Sequence, residues 1–106
     1  MQNYFFVAAS EIFLTEQEPL EEVLKERWRH YGEQGKEVDF WLVRRPAFLE
    51  SAELSEQTAS VPRPAAAVIS TDARFIDFMK LRLESVLKGS FSAPSASIPD
   101  PLAGNA

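Results

Sequence analysis

The residues best suited to chemistry in this sequence are few and stand far apart. His30 is the only histidine, and there is no cysteine. A site with two histidine ligands therefore cannot form within one chain, and no thiolate is available as a ligand or nucleophile. A ferritin-like di-iron centre needs two Glu-x-x-His motifs, and the sequence contains none. We therefore predict no metal site, no cofactor and no catalytic residue.

The remaining polar patterns do not form a catalytic motif either. His30 lies within "RWRHY" (residues 27–31) on a charged helical segment, which is typical of a surface histidine. Glu21, Glu22 and Glu26 have the spacing of a solvated helix face rather than of a catalytic carboxylate pair. The four glycines form neither a G-x-G-x-x-G motif nor a phosphate-binding loop. The sequence therefore predicts a protein that is not an enzyme.

The charge balance restricts the classes of partner. Sixteen acidic residues against eleven basic ones give a formal net charge of -5, which disfavours non-specific binding to nucleic acid or to an anionic membrane. No apolar run approaches the roughly 20 residues that a bilayer span requires. The first residues also lack the basic start and apolar stretch of a signal peptide. We expect a soluble protein that does not insert into a membrane.

Arg82 is the residue that fits its surroundings least. At about 100° per residue, it falls between Phe75 and Phe78, inside the apolar sector of the last predicted helix. One interpretation is that its stem packs on the domain while the guanidinium reaches solvent. The other is that it anchors a partner-binding patch, a role in which arginine is enriched.

An acid and a bulky aromatic stand side by side at the start of a predicted core strand. These residues, Asp39 and Phe40, open the segment "DFWLVRR" (residues 39–45). If this strand and the last helix pack together, we expect Asp39 and Phe40 to lie beside Arg82 in a mixed acidic, aromatic and cationic surface patch. The alternatives are that Asp39 only marks the strand start and that Phe40 belongs to the core.

Three strands and two helices are predicted to position these residues. The apolar and β-branched runs indicate strands at 4–9, 38–44 and 65–69. Residues spaced by three and four indicate a helix after Pro19 that ends near Gly32 and Gly35. A second helix is predicted over about 73–87, with Gly89 as its C-terminal stop. This pattern indicates an α+β (α/β layer) fold: a three- to four-stranded sheet flanked by helices, with the strand order left open.

The rest of the chain is predicted to be irregular. A short helical turn is expected at 47–49, and a fourth strand near 90–92 is one option. The polar stretch from Glu50 to Arg63 is interpreted as a long, mobile loop. Its acidic part, from Glu50 to Ser60, is predicted to be dispensable for folding, because it offers few apolar residues to bury. We place a single domain at 1–90 and a Pro- and Ser-rich tail at 91–106 that packs partly on it.

Several segments resemble a small protein family of cyanobacteria and plastids, a conserved chloroplast reading-frame family. The family provides the accessory subunit of the aerobic magnesium-protoporphyrin IX monomethyl ester oxidative cyclase, which makes protochlorophyllide for chlorophyll. The resemblance covers nearly the whole chain and is weakest from Ser51 to Val61. It is carried by "PLEEVLKERWRHY" (19–31), "DFWLVRRPAFLE" (39–50), "PRPAAAVIST" (62–71), "FMKLRLESVLKG" (78–89) and "APSASIPDPLA" (93–103).

The resemblance implies a non-catalytic assembly subunit that binds the membrane-associated di-iron subunit of the cyclase. It implies partner-binding positions at Asp39, Phe40 and Arg82, and a position important for the integrity of the fold at Ala9. It also implies a cytoplasmic or stromal location, peripheral to the thylakoid or plasma membrane through the partner. The alternative is a tetrapyrrole-binding carrier, or a catalytic component of the same step, for which His30 is the only histidine that can serve as an axial ligand.

Overall fold

Four antiparallel strands form one sheet in the order β2-β3-β1-β4. In this computed structural model, which describes residues 1–104, the strands are β1 (Gln2–Ser10), β2 (Phe40–Arg44), β3 (Ala65–Ser70) and β4 (Leu87–Ala93). The helices are α1 (Leu20–Glu33) and α2 (Ala73–Leu83), with a π-helical turn at Phe13–Gln17 and a 3-10 turn at Ala47–Glu50. The predicted α+β class is confirmed. The sequence left the strand order open, and every pair of neighbouring strands in the observed order is antiparallel.

The first strand lies in the middle of the sheet, as its continuous apolar run predicts. Val7 pairs with Val68 of β3 on one side and with Lys88 of β4 on the other. Successive side chains of a strand point to opposite faces, and both faces here are covered. Val7 belongs to the core under the helices, whereas Phe6 and Ala8 belong to a second core on the other face.

The two helices cover one face of the sheet, and local signals explain where they begin. Pro19 precedes α1, where its missing N–H has no helical partner, and the apolar stripe of α1 buries Leu20, Leu24 and Tyr31. The Asp72 side chain caps α2 by accepting a hydrogen bond from the N–H of Arg74 at 3.0 Å. No helix within residues 1–104 is long and apolar enough to cross a membrane.

The segment after the 3-10 turn covers the other face of the sheet, so its interpretation as a mobile loop is wrong. Leu54 and Val61 are buried in the second core, together with Ile98 from the C-terminal segment. Thr58 is fully buried, and its hydroxyl lies 2.9 Å from the carbonyl oxygens of both Leu49 and Leu54. The segment has few apolar residues, but these residues point inward and cover this face of the sheet.

The second helix is shorter than predicted, because the chain turns at Glu84. This residue adopts a φ of 54° and ends the helix after Leu83. The chain then forms β4, so the prediction of Gly89 as a helix stop is wrong. A Cβ on Gly89 would lie 2.6 Å from the ring of Phe6, which explains why a residue without a side chain occupies this point of the strand.

The C-terminal segment departs from the predicted boundary at residue 90. Strand β4 continues to Ala93, and Ile98 is buried against the sheet. The segment then reaches β2, where Gly104 forms an antiparallel bridge with Pro46. The last two residues of the predicted tail, 105–106, lie outside the described part of the chain.

Candidate functional site

Phe40 is a core residue and does not lie on a surface patch. It is only 3% exposed. Its ring lies 5.2 Å from that of Tyr31 in an edge-on arrangement and 5.7 Å from that of Phe75. The interpretation of Phe40 as part of the surface is therefore wrong, and the alternative, that it belongs to the core, is correct. The physical reason is that β2 directs Phe40 toward α1 and α2, which close over it.

Arg27 is the cation that lies beside Phe40. Its guanidinium carbon is 3.9 Å from the ring centroid of Phe75, 4.9 Å from that of Tyr31 and 5.2 Å from that of Phe40. Its Nη2 donates a hydrogen bond to the Tyr31 hydroxyl at 2.7 Å. We call these four residues the aromatic–arginine cluster. Sequence reasoning missed Arg27, although its position four residues before Tyr31 on one helix is a recognisable signal.

Asp39 lies at the edge of this cluster, next to the start of α2. Its backbone carbonyl accepts hydrogen bonds from the Ser70 hydroxyl at 2.8 Å and from the N–H of Thr71 at 3.1 Å. Among the described residues, none forms a hydrogen bond with its buried Oδ1, and the same is true of the buried Nε of Arg27. The cluster therefore brings two unpaired polar atoms to the amino end of α2.

The hydroxyl of Tyr31 reports the electrostatics of the cluster. Burial raises the pKa of Tyr31 above its usual value of 10.0, and the nearby Asp39 carboxylate raises it further. The Arg27 guanidinium opposes both effects, because a positive charge stabilises the phenolate. Tyr31 therefore remains a neutral hydroxyl between an acid and an arginine.

Arg82 does not lie beside Asp39, contrary to the prediction. Asp39 contacts the amino end of α2, whereas Arg82 is in the last turn of that helix. The ten residues from Asp72 to Arg82 span about 15 Å along the helix axis at a rise of about 1.5 Å per residue. Arg82 is exposed, and it forms no ion pair within residues 1–104. Helical periodicity predicted the position of Arg82 around the axis of α2. It did not predict which residues of other elements lie beside that turn of the helix.

The surroundings of Arg82 are apolar and open to solvent. Phe78 is 57% exposed and Leu81 is 78% exposed, and both lie within one turn of Arg82 on α2. We call Phe78, Leu81 and Arg82 the α2 surface. Single exposed apolar side chains are ordinary in folded proteins, but aromatic and arginine residues together are enriched where proteins bind each other.

Ala9 lies in the sheet, where its small size matters. It occupies β1 opposite Ala66 of β3 and packs against the core under the helices. A larger side chain here would have to be accommodated against this core, because protein interiors are close-packed. A role of Ala9 in the integrity of the fold remains a prediction.

A second charged group lies at the far end of β2. The Glu11 carboxylate accepts hydrogen bonds from Arg44 Nη1 at 3.2 Å and from Arg45 Nε at 3.1 Å. The Arg45 hydrogen bond is the largest cause that holds the pKa of Glu11 below its usual value, with Arg44 adding to it against the effect of desolvation. Arg44 also pairs with Glu21 of α1. This group ties α1 and the end of β1 to β2.

The described residues do not assemble a metal-ligand cluster. Within residues 1–104, no three of the histidine, aspartate and glutamate side chains lie close enough together to hold one metal ion. His30 is exposed on the last turn of α1, with its Nδ1 3.9 Å from a Glu33 carboxylate oxygen. His30 is therefore a surface residue, as its sequence context indicates.

Sequence comparisons connect the chain to one family. A family model described as "Ycf54 protein" matches residues 2–93. The chain is 56% identical over 103 residues to a "Ycf54-like protein" of Synechocystis sp., a match that spans 97% of this chain and 77% of that relative. It is 43% identical over 102 residues to "Protein YCF54, chloroplastic" of Arabidopsis thaliana, which spans 96% of this chain and 46% of that longer protein.

Solved structures show the same fold. The All0216 protein from Nostoc sp. PCC 7120 superimposes with a TM-score of 0.95 at 60% identity, covering 99% of this chain and 97% of that one. The Ycf54 A9G mutant protein from Synechocystis sp. PCC6803 gives a TM-score of 0.95 at 55% identity, covering 98% of each chain. The four-stranded antiparallel sheet with its helices is therefore the architecture that these proteins share.

Proposed function

Because this chain belongs to the Ycf54 family, we propose that it is a non-catalytic accessory subunit of the magnesium-protoporphyrin IX monomethyl ester oxidative cyclase. In this proposal it binds the membrane-associated di-iron subunit and supports its accumulation or activity in protochlorophyllide formation. The resemblance of the chain to that family's accessory subunit suggests the reaction. The geometry of α2 supports a binding role.

The observation that carries the proposal is the exposure of Phe78 and Leu81 beside Arg82. The two apolar side chains are 57% and 78% exposed, and the neighbouring Arg82 has no ion-pair partner among residues 1–104. An aromatic, an aliphatic and an unpaired arginine provide apolar area and a charge-assisted hydrogen-bond donor in one place. This combination is typical of interface residues whose loss weakens binding most.

The partly exposed residues at the aromatic–arginine cluster, Arg27 and Asp39, lie toward the other end of α2. Arg82 follows Phe75 by seven residues, so it lies on nearly the same side of the helix and about 10 Å further along the axis. The ring of Phe75 contacts the guanidinium of Arg27. A standard interface buries about 800 Å² on each partner, so one partner can contact Arg82 and Asp39 together. We propose that Asp39 contacts the partner directly, while Phe40 positions it from the core.

The proposed location follows the relatives. One curated relative is named as chloroplastic, and others come from cyanobacteria and red algae. We propose that the chain works in the cyanobacterial cytoplasm or the plastid stroma and reaches the thylakoid or plasma membrane through its partner.

The test measures binding of the purified di-iron subunit to the immobilised chain. Arg82→Ala should weaken binding by about 30-fold, because truncation of a central interface arginine costs about 2 kcal/mol or more. Arg29→Ala is the matched control, since Arg29 is an exposed arginine whose ion pairs are with Glu26 and Glu33 of its own helix. Equal binding by wild type and Arg82→Ala would place the interface elsewhere.

A second titration separates the alternative of a pigment carrier. The magnesium porphyrin ester is added to the chain alone, and its absorbance spectrum is followed. Saturable binding of one porphyrin per chain, together with no affinity for the di-iron subunit, would overturn the accessory-subunit proposal.

A further inference from the structure

The outer edge of β2 has backbone groups that no part of the described chain pairs with. The N–H of Arg45 donates to the Ala65 carbonyl of β3 at 2.7 Å, and backbone groups alternate in direction along an antiparallel strand. Phe40, Leu42 and Arg44 therefore direct their N–H and C=O groups away from the sheet. Within residues 1–104, no hydrogen bond reaches the outward groups of Phe40 and Leu42.

The C-terminal segment of the chain already lies against one end of this edge. The Ala47 N–H donates to the carbonyl of Ala103 at 2.8 Å, and Gly104 bridges Pro46 in the antiparallel sense. A Cβ on Gly104 would lie 2.5 Å from the carbonyl oxygen of Arg44, so the two backbones are in close contact. The edge therefore accepts an extended segment at its Arg44 end and stays open at Phe40 and Leu42.

The open part of the edge lies beside an aromatic groove between α1 and β2. The groove has a volume of about 250 Å³ and is lined by residues of both elements: Glu21, Leu24, Lys25 and Trp28 of α1, and Phe40, Trp41 and Leu42 of β2. Trp28 is 59% exposed. Tryptophan is among the residues most enriched at the centres of protein interfaces, so an exposed tryptophan beside an open strand edge fits a binding site. Within residues 1–104, Lys25 forms no ion pair, whereas the carboxylate of Glu21 in the same groove is paired with Arg44.

The opposite edge of the sheet is protected in the usual way. Strand β4 carries Lys88 and Gly89 in its first half and serines after them, and charged or weakly strand-forming residues discourage edge pairing. In contrast, β2 has the sequence Phe40-Trp41-Leu42-Val43 up to Arg44, with no charge or proline in its middle. Such an edge is a template for an added strand.

From these observations we infer that the β2 edge and its aromatic groove bind a short extended segment of the partner as a fifth strand. The segment pairs with the outward groups of Phe40 and Leu42, places an apolar side chain against Trp28 and an acidic one near Lys25. This inference rests on the proposed function, because the segment belongs to the di-iron subunit. It adds a backbone-mediated contact to the side-chain contacts of the α2 surface.

The experiment measures hydrogen exchange of single backbone amides in the full chain, free and bound to the purified di-iron subunit. The amides of Phe40 and Leu42 should exchange at least about tenfold more slowly in the complex, because addition of a strand gives them hydrogen-bond partners. Trp28→Ala should weaken binding by about tenfold or more. Ile12→Ala is the control, since Ile12 is similarly exposed at 55%.

Each outcome decides the inference. Slower exchange at Phe40 and Leu42, with weaker binding of Trp28→Ala than of Ile12→Ala, supports it. Binding of the di-iron subunit with unchanged exchange at these amides overturns it and leaves the proposed function standing. No binding by the wild-type chain overturns both proposals. Slow exchange in the free chain together with a dimeric mass would assign the edge to a second copy and overturn the inference.

Discussion

The guanidinium carbon of Arg27 lies 3.9 Å from the centroid of the Phe75 ring. This contact joins α1 to α2, because Arg27 lies on the first helix and Phe75 on the second. The same guanidinium also lies near the rings of Tyr31 and Phe40. One partly buried cation therefore contacts three aromatic rings from three elements, and this arrangement is the basis of the first three predictions.

Arg27→Ala should lower the free energy of unfolding by about 1–2 kcal/mol, because a partly desolvated cation–π contact contributes about that much. Arg82→Ala is the matched control and should change stability by less than about 0.5 kcal/mol, as exposed sites usually do. Urea denaturation measures both variants. Equal losses of stability would contradict the stabilising contact of Arg27 with the three aromatic rings.

Phe40→Ala should cost about 3–5 kcal/mol of stability, because truncation of a buried phenylalanine leaves a cavity. Phe78→Ala removes the same side chain from a site that is 57% exposed and should cost far less. Thermal unfolding followed by circular dichroism compares them. This pair matters for binding studies, because a Phe40 variant that fails to capture a partner can do so by unfolding. A Phe40→Ala protein with wild-type stability would contradict the placement of Phe40 in the core.

Replacing Arg27 by methionine should raise the pKa of Tyr31 further, since the wild-type guanidinium holds it down against burial and Asp39. Tyrosinate absorbance in a Tyr4→Phe background measures this pKa. Because the folded pKa lies above the usual 10.0, the contribution of Tyr31 to stability is complete below pH 10.0. It is lost as the pH rises from there through the folded pKa. A lower pKa in Arg27→Met would contradict the geometry of the cluster.

Glu11 should make the protein less stable in acid. Its folded pKa lies below the usual 4.5, chiefly because of the hydrogen bond from Arg45. Its contribution to stability is therefore present above pH 4.5 and is lost as the pH falls through the folded value. Urea unfolding at a series of pH values should show a shallower acid limb for Glu11→Gln than for wild type. Glu22→Gln, a change at an exposed site on α1, serves as the control. An unchanged slope in Glu11→Gln would indicate that the hydrogen bonds of Glu11 with Arg44 and Arg45 do not form in solution.

Leu54→Ala should lower the free energy of unfolding by about 2–5 kcal/mol, because Leu54 is buried in the second core. Glu56→Ala changes an exposed neighbour in the same segment and should have little effect. Chemical denaturation of both variants tests whether this segment packs on the sheet. Similar stability of the two proteins would restore the mobile-loop interpretation.

Local signals in the sequence determined the first three strands of this fold and the starts of its two helices. The spacing of Leu20, Leu24 and Tyr31 defines α1, and Asp72 marks the start of α2 through a cap that involves only neighbouring residues. The continuous apolar run at the first strand implies burial on both faces, and the strand is indeed central. Such features depend on residues a few positions apart, so a linear sequence contains them in full.

Only the tertiary structure decided which side chains meet. Helical periodicity places Arg82 near Phe75 and Phe78 around the axis of α2, but it does not specify which strand lies beside each turn. The pairing of Phe40 with Ser70 brings the start of β2 to the opposite end of that helix. Arg27 is therefore the cation beside Phe40. Likewise, Leu54 and Val61 are isolated in a polar stretch, and their burial depends on a sheet face formed by distant segments. Contacts between residues far apart in sequence depend on the order and register of the strands, which local patterns do not specify.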